Sequence, residues 1–125
     1  MAAPNIAALA TITGITSHVV LTDTQPTGIV TNASGSNAVY KVNNIRIANT
    51  NNGASRDVSI TYGVVGAGAG TSCFLASNIT VPSNAALQLL DKDSFIYMEE
   101  GTVITGIAQT ANELNVAVVY EKIEE

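Results

Sequence analysis

No stretch of this chain sustains the 3.6-residue apolar period of a helix, while several alternate with the two-residue period of a strand, which points to an all-β fold. Arg56 to Tyr62 sets Val58, Ile60 and Tyr62 on one face and Asp57, Ser59 and Thr61 on the other. Leu114, Val116, Val118 and Tyr120 alternate in the same way with polar or smaller residues. Turn chemistry separates such runs at Pro26-Thr27-Gly28, Asn32 to Asn37, Asn52-Gly53, Gly66 to Gly70, Pro82-Ser83-Asn84 and Ala111-Asn112. Short strands with turn signals about every 8–12 residues form antiparallel sandwiches or small barrels. The expected fold is therefore a single antiparallel two-sheet β-sandwich, jelly-roll-like or immunoglobulin-like, with eight to ten strands.

Three local expectations follow. Leu87 to Ile104 reads as strand, turn, short strand, turn, strand, with Asp91-Lys92-Asp93 as polar punctuation and Gly101 as a residue tolerating positive φ; it is taken as the spine on which the rest packs. In Val39 to Asn49, Tyr40 and Val42 share one parity while Ile45 and Ile47 share the other, so a β-bulge at Asn43-Asn44 is needed to bring all four to one side. Asn52-Gly53 is the strongest short hairpin signal in the chain.

At 125 residues the chain is one domain, long enough to bury a core without staples. The opening Met1 to Ala8 has few large apolar groups, so residues 1–8 are expected to be an extended arm and 9–125 the sandwich. Only 12% of residues are charged, against a usual quarter, so Thr, Ser, Asn and backbone must supply the polar surface. Residues 1–40 hold Asp23 as their sole formal charge, whereas residues 90–125 hold ten of fifteen. A stretch that avoids charge is expected to be covered by something else, and Ile6, Ile12 and Ile15 are the candidate interface residues within it.

Several functions find no support. A net charge of −5, with three Lys and two Arg scattered along the chain, argues against nucleic acid, whose binding needs clustered cations. No run reaches the roughly 18 apolar residues of a membrane helix, and the start lacks the cationic region of a secretory signal, so no membrane partner and use from the cytoplasm are expected. The Asn-x-Ser/Thr matches at Asn32 and Asn78 are then chance. Gly66, Gly68 and Gly70 imitate a nucleotide loop, but a strand, not a helix, follows them. Asp91, Asp93, Glu99 and Glu100 fit no calcium loop and read as solvated turn acids. The acid nearest to His18 in sequence, Asp23, is across an expected turn, so His18 reads as a strand-edge residue, and Cys73, the single cysteine, reads as a small buried hydrophobe. Four Tyr without Trp make a poor sugar platform and read as core-edge residues with hydroxyls in water. No enzyme, cofactor or metal site is expected.

The segments VYKVNNIRIANTNNGASRDVSITY, ITVPSNAALQLLDKDSFIYMEEGTVI and LNVAVVYEKI carry a lysine-bearing strand, an Asn/Gly/Ala turn, a Val-Pro turn, an acid-Lys-acid turn, Ile-Tyr-x-Glu-Glu-Gly and a closing Val-Val-Tyr-Glu. In these features, and in Ala3-Pro4-Asn5 and Thr11 to Gly14, the chain resembles small virion structural proteins of tailed phages of marine cyanobacteria and other marine bacteria. The resemblance implies a virion component, assembled in the host cytoplasm. Together with the uncharged N-terminal third it implies a capsid decoration or cement protein that binds the major capsid protein lattice and itself, with a trimer favoured. The alternatives are a neck, tail or fibre-associated subunit, or a carbohydrate- or receptor-binding sandwich module.

Overall fold

Residues 11–65 and 72–124 are described by the computed structural model; the arm over residues 1–8, Ile6 and the Gly66–Gly70 turn lie outside the described residues. Nine strands occur among them: β1 (Thr11–Val20), β2 (Thr27–Asn32), β3 (Ala38–Asn49), β4 (Arg56–Val64), β5 (Cys73–Val81), β6 (Ala86–Leu90), β7 (Ile96–Met98), β8 (Thr102–Ala108) and β9 (Leu114–Glu124). They form two antiparallel sheets. One runs β1-β9-β3-β6, with β7 also on β3, and the other runs β2-β8-β4-β5. The sandwich expected from the alternation is therefore present.

The pairings are nested. β4 pairs β5, β3 pairs β6 and β7, β2 pairs β8, and β1 pairs β9, as if one long hairpin with its tip between β4 and β5 had been rolled up. Rolling brings β3 against β9 and β4 against β8, which closes the two sheets. That wrapping is the jelly roll, and it decides against the immunoglobulin order, in which the first strand does not lie beside the last.

The core lies between the sheets and is built from inward parities. Val116, Val118 and Tyr120 of β9 lie beside Ile47, Ile45 and Val42 of β3 in one layer that Leu114 and Tyr40 extend, and Val58 and Ile60 of β4, Ile104 of β8, Leu21 and Met98 pack with them. Each such large side chain contributes about 1.5–3 kcal/mol when fully buried. Tyr40 and Tyr120 stack with ring centroids 4.9 Å apart, and burial pushes the Tyr40 phenol above its usual pKa. These two tyrosines are buried, not core-edge. The bulge expected at Asn43-Asn44 is there: Val42 pairs Tyr120 and Asn44 pairs Val119, so Asn43 is the extra residue. It returns Ile45 and Ile47 to the inner face, as the parity argument required. Gly101 adopts φ +78°, and a β-carbon there would also press on Ser34 Oγ at 3.2 Å.

Four local expectations are corrected. The segment Leu87 to Ile104 does have the predicted strand and turn sequence, with a 3₁₀ turn at Lys92–Ser94, but it is no spine, since β6 and β7 are short pieces on the rim of β3. The centre belongs to β3 and β9 in one sheet and β4 and β8 in the other. Asn52-Gly53 makes no hairpin, because β3 and β4 belong to different sheets and the turn is a corner between them. Ser59 and Thr61 keep the outward parity but are buried, Ser59 Oγ accepting the Asn78 N–H at 2.9 Å. Cys73 is exposed, at the start of an edge strand.

Candidate interaction surface

The outer face of the β1-containing sheet is defined by the residues that alternate away from the core. From β1 it takes Ile12, Gly14, Thr16, His18 and Val20, all exposed. Register carries these across the sheet in rows: Val20, Asn115, Ala48 and Ala86; His18, Ala117, Arg46 and Gln88; Gly14, Glu121, Lys41 and Tyr97. Val119, 38% exposed, stands in the middle, opposite Thr16 and Asn44. Alanines at the centre of two rows leave the face low, and a hollow of about 200 Å³ forms where His18 and Arg46 flank Ala117 and Ala48, with Val20 and Asn115 at its rim. The face is thus shallow, rich in small and β-branched residues, and carries Lys41, Arg46 and Glu121 as its formal charges.

Of the three candidate interface residues, Ile6 lies outside the described residues. Ile12 is on this face and 56% exposed. Ile15, three positions along the same strand, has the opposite parity and packs against the core. The face is therefore better described by Ile12, Val20 and Val119, and Val119 was missed because the alternation of β9 marks it only as a non-core position.

The acids do not separate in space as fully as in sequence. Asp91 closes the 3₁₀ turn, its Oδ1 accepting the Asp93 and Ser94 N–H groups at 2.9 and 3.1 Å, while Glu100 Oε1 accepts the Asn37 N–H at 2.6 Å. These turns flank β6 and β7, at the opposite rim of the sheet from β1. Glu121, Lys122 and Glu124 instead lie on β9 beside β1, with Lys122 Nζ 3.3 Å from Glu124 Oε1, and Glu121 Oε1 accepts from Asn43 Nδ2 at 2.9 Å. Among the described residues no group of three or more His, Cys, Asp or Glu is arranged to hold a metal ion.

Near those acids two aromatic rings are exposed. Phe95 and Tyr97 meet edge to face at 5.3 Å, and Lys41 Nζ sits 4.5 Å from the Phe95 centroid. The lysine engages one face of the Phe95 ring through a cation–π contact, and Phe95, Tyr97 and Phe74 stay 39%, 41% and 49% exposed. His18 stands on the sheet's open rim with no acid paired to it in register, which matches its reading as an edge residue.

A different cluster binds the sandwich rather than a ligand. Glu113, in the loop between β8 and β9, accepts from Arg56 Nε and, at 2.7 Å, from Asn51 Nδ2, and its backbone oxygen accepts the Thr50 N–H at 2.8 Å. The hydrogen bonds from Arg56 and then Asn51 hold its carboxyl below the ordinary carboxylate pKa. No family model matches the chain, and no curated protein matches it.

Proposed function

We propose that the protein is a structural subunit of a tailed-phage virion, a capsid decoration or cement protein that lays the outer face of its β1-containing sheet on the major capsid lattice. One observation carries this reading: a broad, shallow face with few charges on which Ile12, Val20 and Val119 stand exposed. Contiguous apolar area, and not single exposed side chains, marks contact with other protein, and here the three stand along one low, sparsely charged face. The jelly roll is compatible, but the fold hosts capsid subunits and lectins alike and so decides nothing alone. For the carbohydrate-binding alternative, one face of the exposed Phe95 ring is already engaged by Lys41.

The test is occupancy on particles. Val119→Asp places a charge in the middle of the contact, where an unpaired buried charge is costly, and should reduce binding to phage heads at least tenfold with little change in melting temperature. Glu99→Lys, on the opposite rim, should bind as the parent does. Deleting residues 2–8 should weaken attachment while the sandwich stays folded. Full occupancy of the Val119→Asp variant would overturn the assignment of the face.

A further inference from the structure

Exposed sheet edges invite pairing with another chain, and proteins blunt them with bulges, shortness, charge or proline. Three of the four edges here are blunted. β2 has six residues and a register shift between Gly28 and Val30. β5 shifts twice against β4 and bends through Asn78 at φ +48°. β6 and β7 are pieces of five and three residues. β1 is different: ten residues, paired with β9 from Thr11 to Val20 without a shift, with no formal charge and no proline. Among the described residues no strand pairs with its other side.

We propose that β1 pairs antiparallel with β1 of a second copy of this chain, across a two-fold axis normal to the sheet and centred on Thr16. Two constraints limit the register to centres on a residue, and the match of exposed apolar side chains then selects Thr16. The Leu21 N–H donates to the Leu114 carbonyl at 2.9 Å, and antiparallel ladders alternate, so odd-numbered residues of β1 turn their amides to β9 and even-numbered ones to the open edge. A two-fold normal to the sheet continues inner face into inner face, so residues facing each other must share parity. Centring on Thr16 sets Ile12 against the partner's Val20 and Val20 against the partner's Ile12. These are the two large apolar side chains that β1 leaves exposed, at 56% and 43%. Gly14 then faces the partner's His18, leaving space for the imidazole, and the two Thr16 side chains form a favourable cross-strand pair. Centring on Ile15 would leave Val20 overhanging, and centring on Ser17 would leave Ile12 so.

This inference concerns the rim of the sheet and stands whether or not its outer face meets a capsid. The full-length chain should sediment as a dimer that dissociates on dilution. Thr16→Pro removes an N–H aimed at the open edge and spares the ladder to β9, so it should weaken self-association at least tenfold while the far-ultraviolet dichroism stays that of a folded sheet. In a Cys73→Ser background, Thr16→Cys should give a disulfide-linked dimer on mild oxidation, because residues facing each other in a hydrogen-bonded pair have α-carbons about 5.5 Å apart, within disulfide reach. Gly14→Cys should not cross-link to itself. A chain that stays monomeric at every concentration, a trimer as the sequence reading favoured, or a dimer indifferent to Thr16→Pro would overturn the proposal. Particle binding by a monomeric chain would leave the capsid reading in place.

Discussion

Asn32 and Asn49 do at opposite ends of β3 what a hydrophobic residue could not. Asn32 is fully buried, and its Nδ2 donates to the carbonyls of Ala38 and Met98, each at 3.0 Å, while its Oδ1 accepts from Ser36 Oγ at 2.6 Å. Asn49 repeats the arrangement, with Nδ2 donating to Ala54 and Val81 carbonyls at 3.0 Å and Oδ1 accepting the Asn51 N–H at 2.9 Å. Each amide joins a corner loop to a strand distant in sequence, β7 in one case and β5 in the other. Removing either takes a hydrogen bond from two carbonyls, and a buried polar group left unpaired costs about 1–3 kcal/mol. Asn32→Ala and Asn49→Ala should each lower stability by that much or more in chemical denaturation; an unchanged midpoint would show that the corners do not depend on them. The sequence reads Asn32 as the start of a loop and Asn49 as the end of a strand segment. Each is the last residue of its strand, β2 and β3, and the distant carbonyls that give each amide its value are set by tertiary pairing, which local composition does not encode.

Among elements, legibility tracked how much of a strand's character is internal to it. β4 and β9 announced themselves by parity, and the parity switch within β3 located its bulge before any partner was known. What parity does not carry is which strand lies beside which. Asn52-Gly53 has the chemistry of a tight hairpin, yet the strands it joins part into different sheets, so the same residues form a corner. The apolar run of Leu87 to Leu90 looked central because nothing in it reports that it pairs along only one side. The corner after β3 also explains Glu113, which the sequence left unremarked: it bridges that corner to the loop entering β9 through Arg56 and Asn51. Because those partners lower its pKa in the folded chain, Glu113 contributes stability that is complete above the ordinary carboxyl pKa of 4.5 and is lost as pH falls through the depressed folded value. Glu113→Gln should therefore flatten the acid side of the stability profile and leave the slope between pH 5 and 8 unchanged. Equal steepness below pH 4 in both chains would mean that the bridge is not formed in solution.

At the scale of the whole molecule, nesting decides both what was legible and how the chain must fold. Alternation and turn spacing were enough for two sheets of antiparallel strands, because each is a local property. Jelly-roll and immunoglobulin wrappings use the same strands, however, and differ only in long-range order, so the sequence could not choose between them. In the observed order β9 lies between β1 and β3, and β8 lies between β2 and β4, so the last strands made are the central ones. Neither sheet is complete until residues from both ends of the chain meet, and the entropy of closing those loops must be met before their contacts form. All-β domains dominated by such pairings refold in about milliseconds to seconds, against microseconds for local topologies. Stopped-flow refolding followed by tyrosine fluorescence, the chain having no Trp, should show its main phase in that slow range. Val118→Ala, which trims the centre of β9, should speed unfolding and also slow refolding if the β3–β9 pairing belongs to the nucleus. Refolding complete within microseconds would mean that some local unit forms first and that the nested pairing is not the barrier.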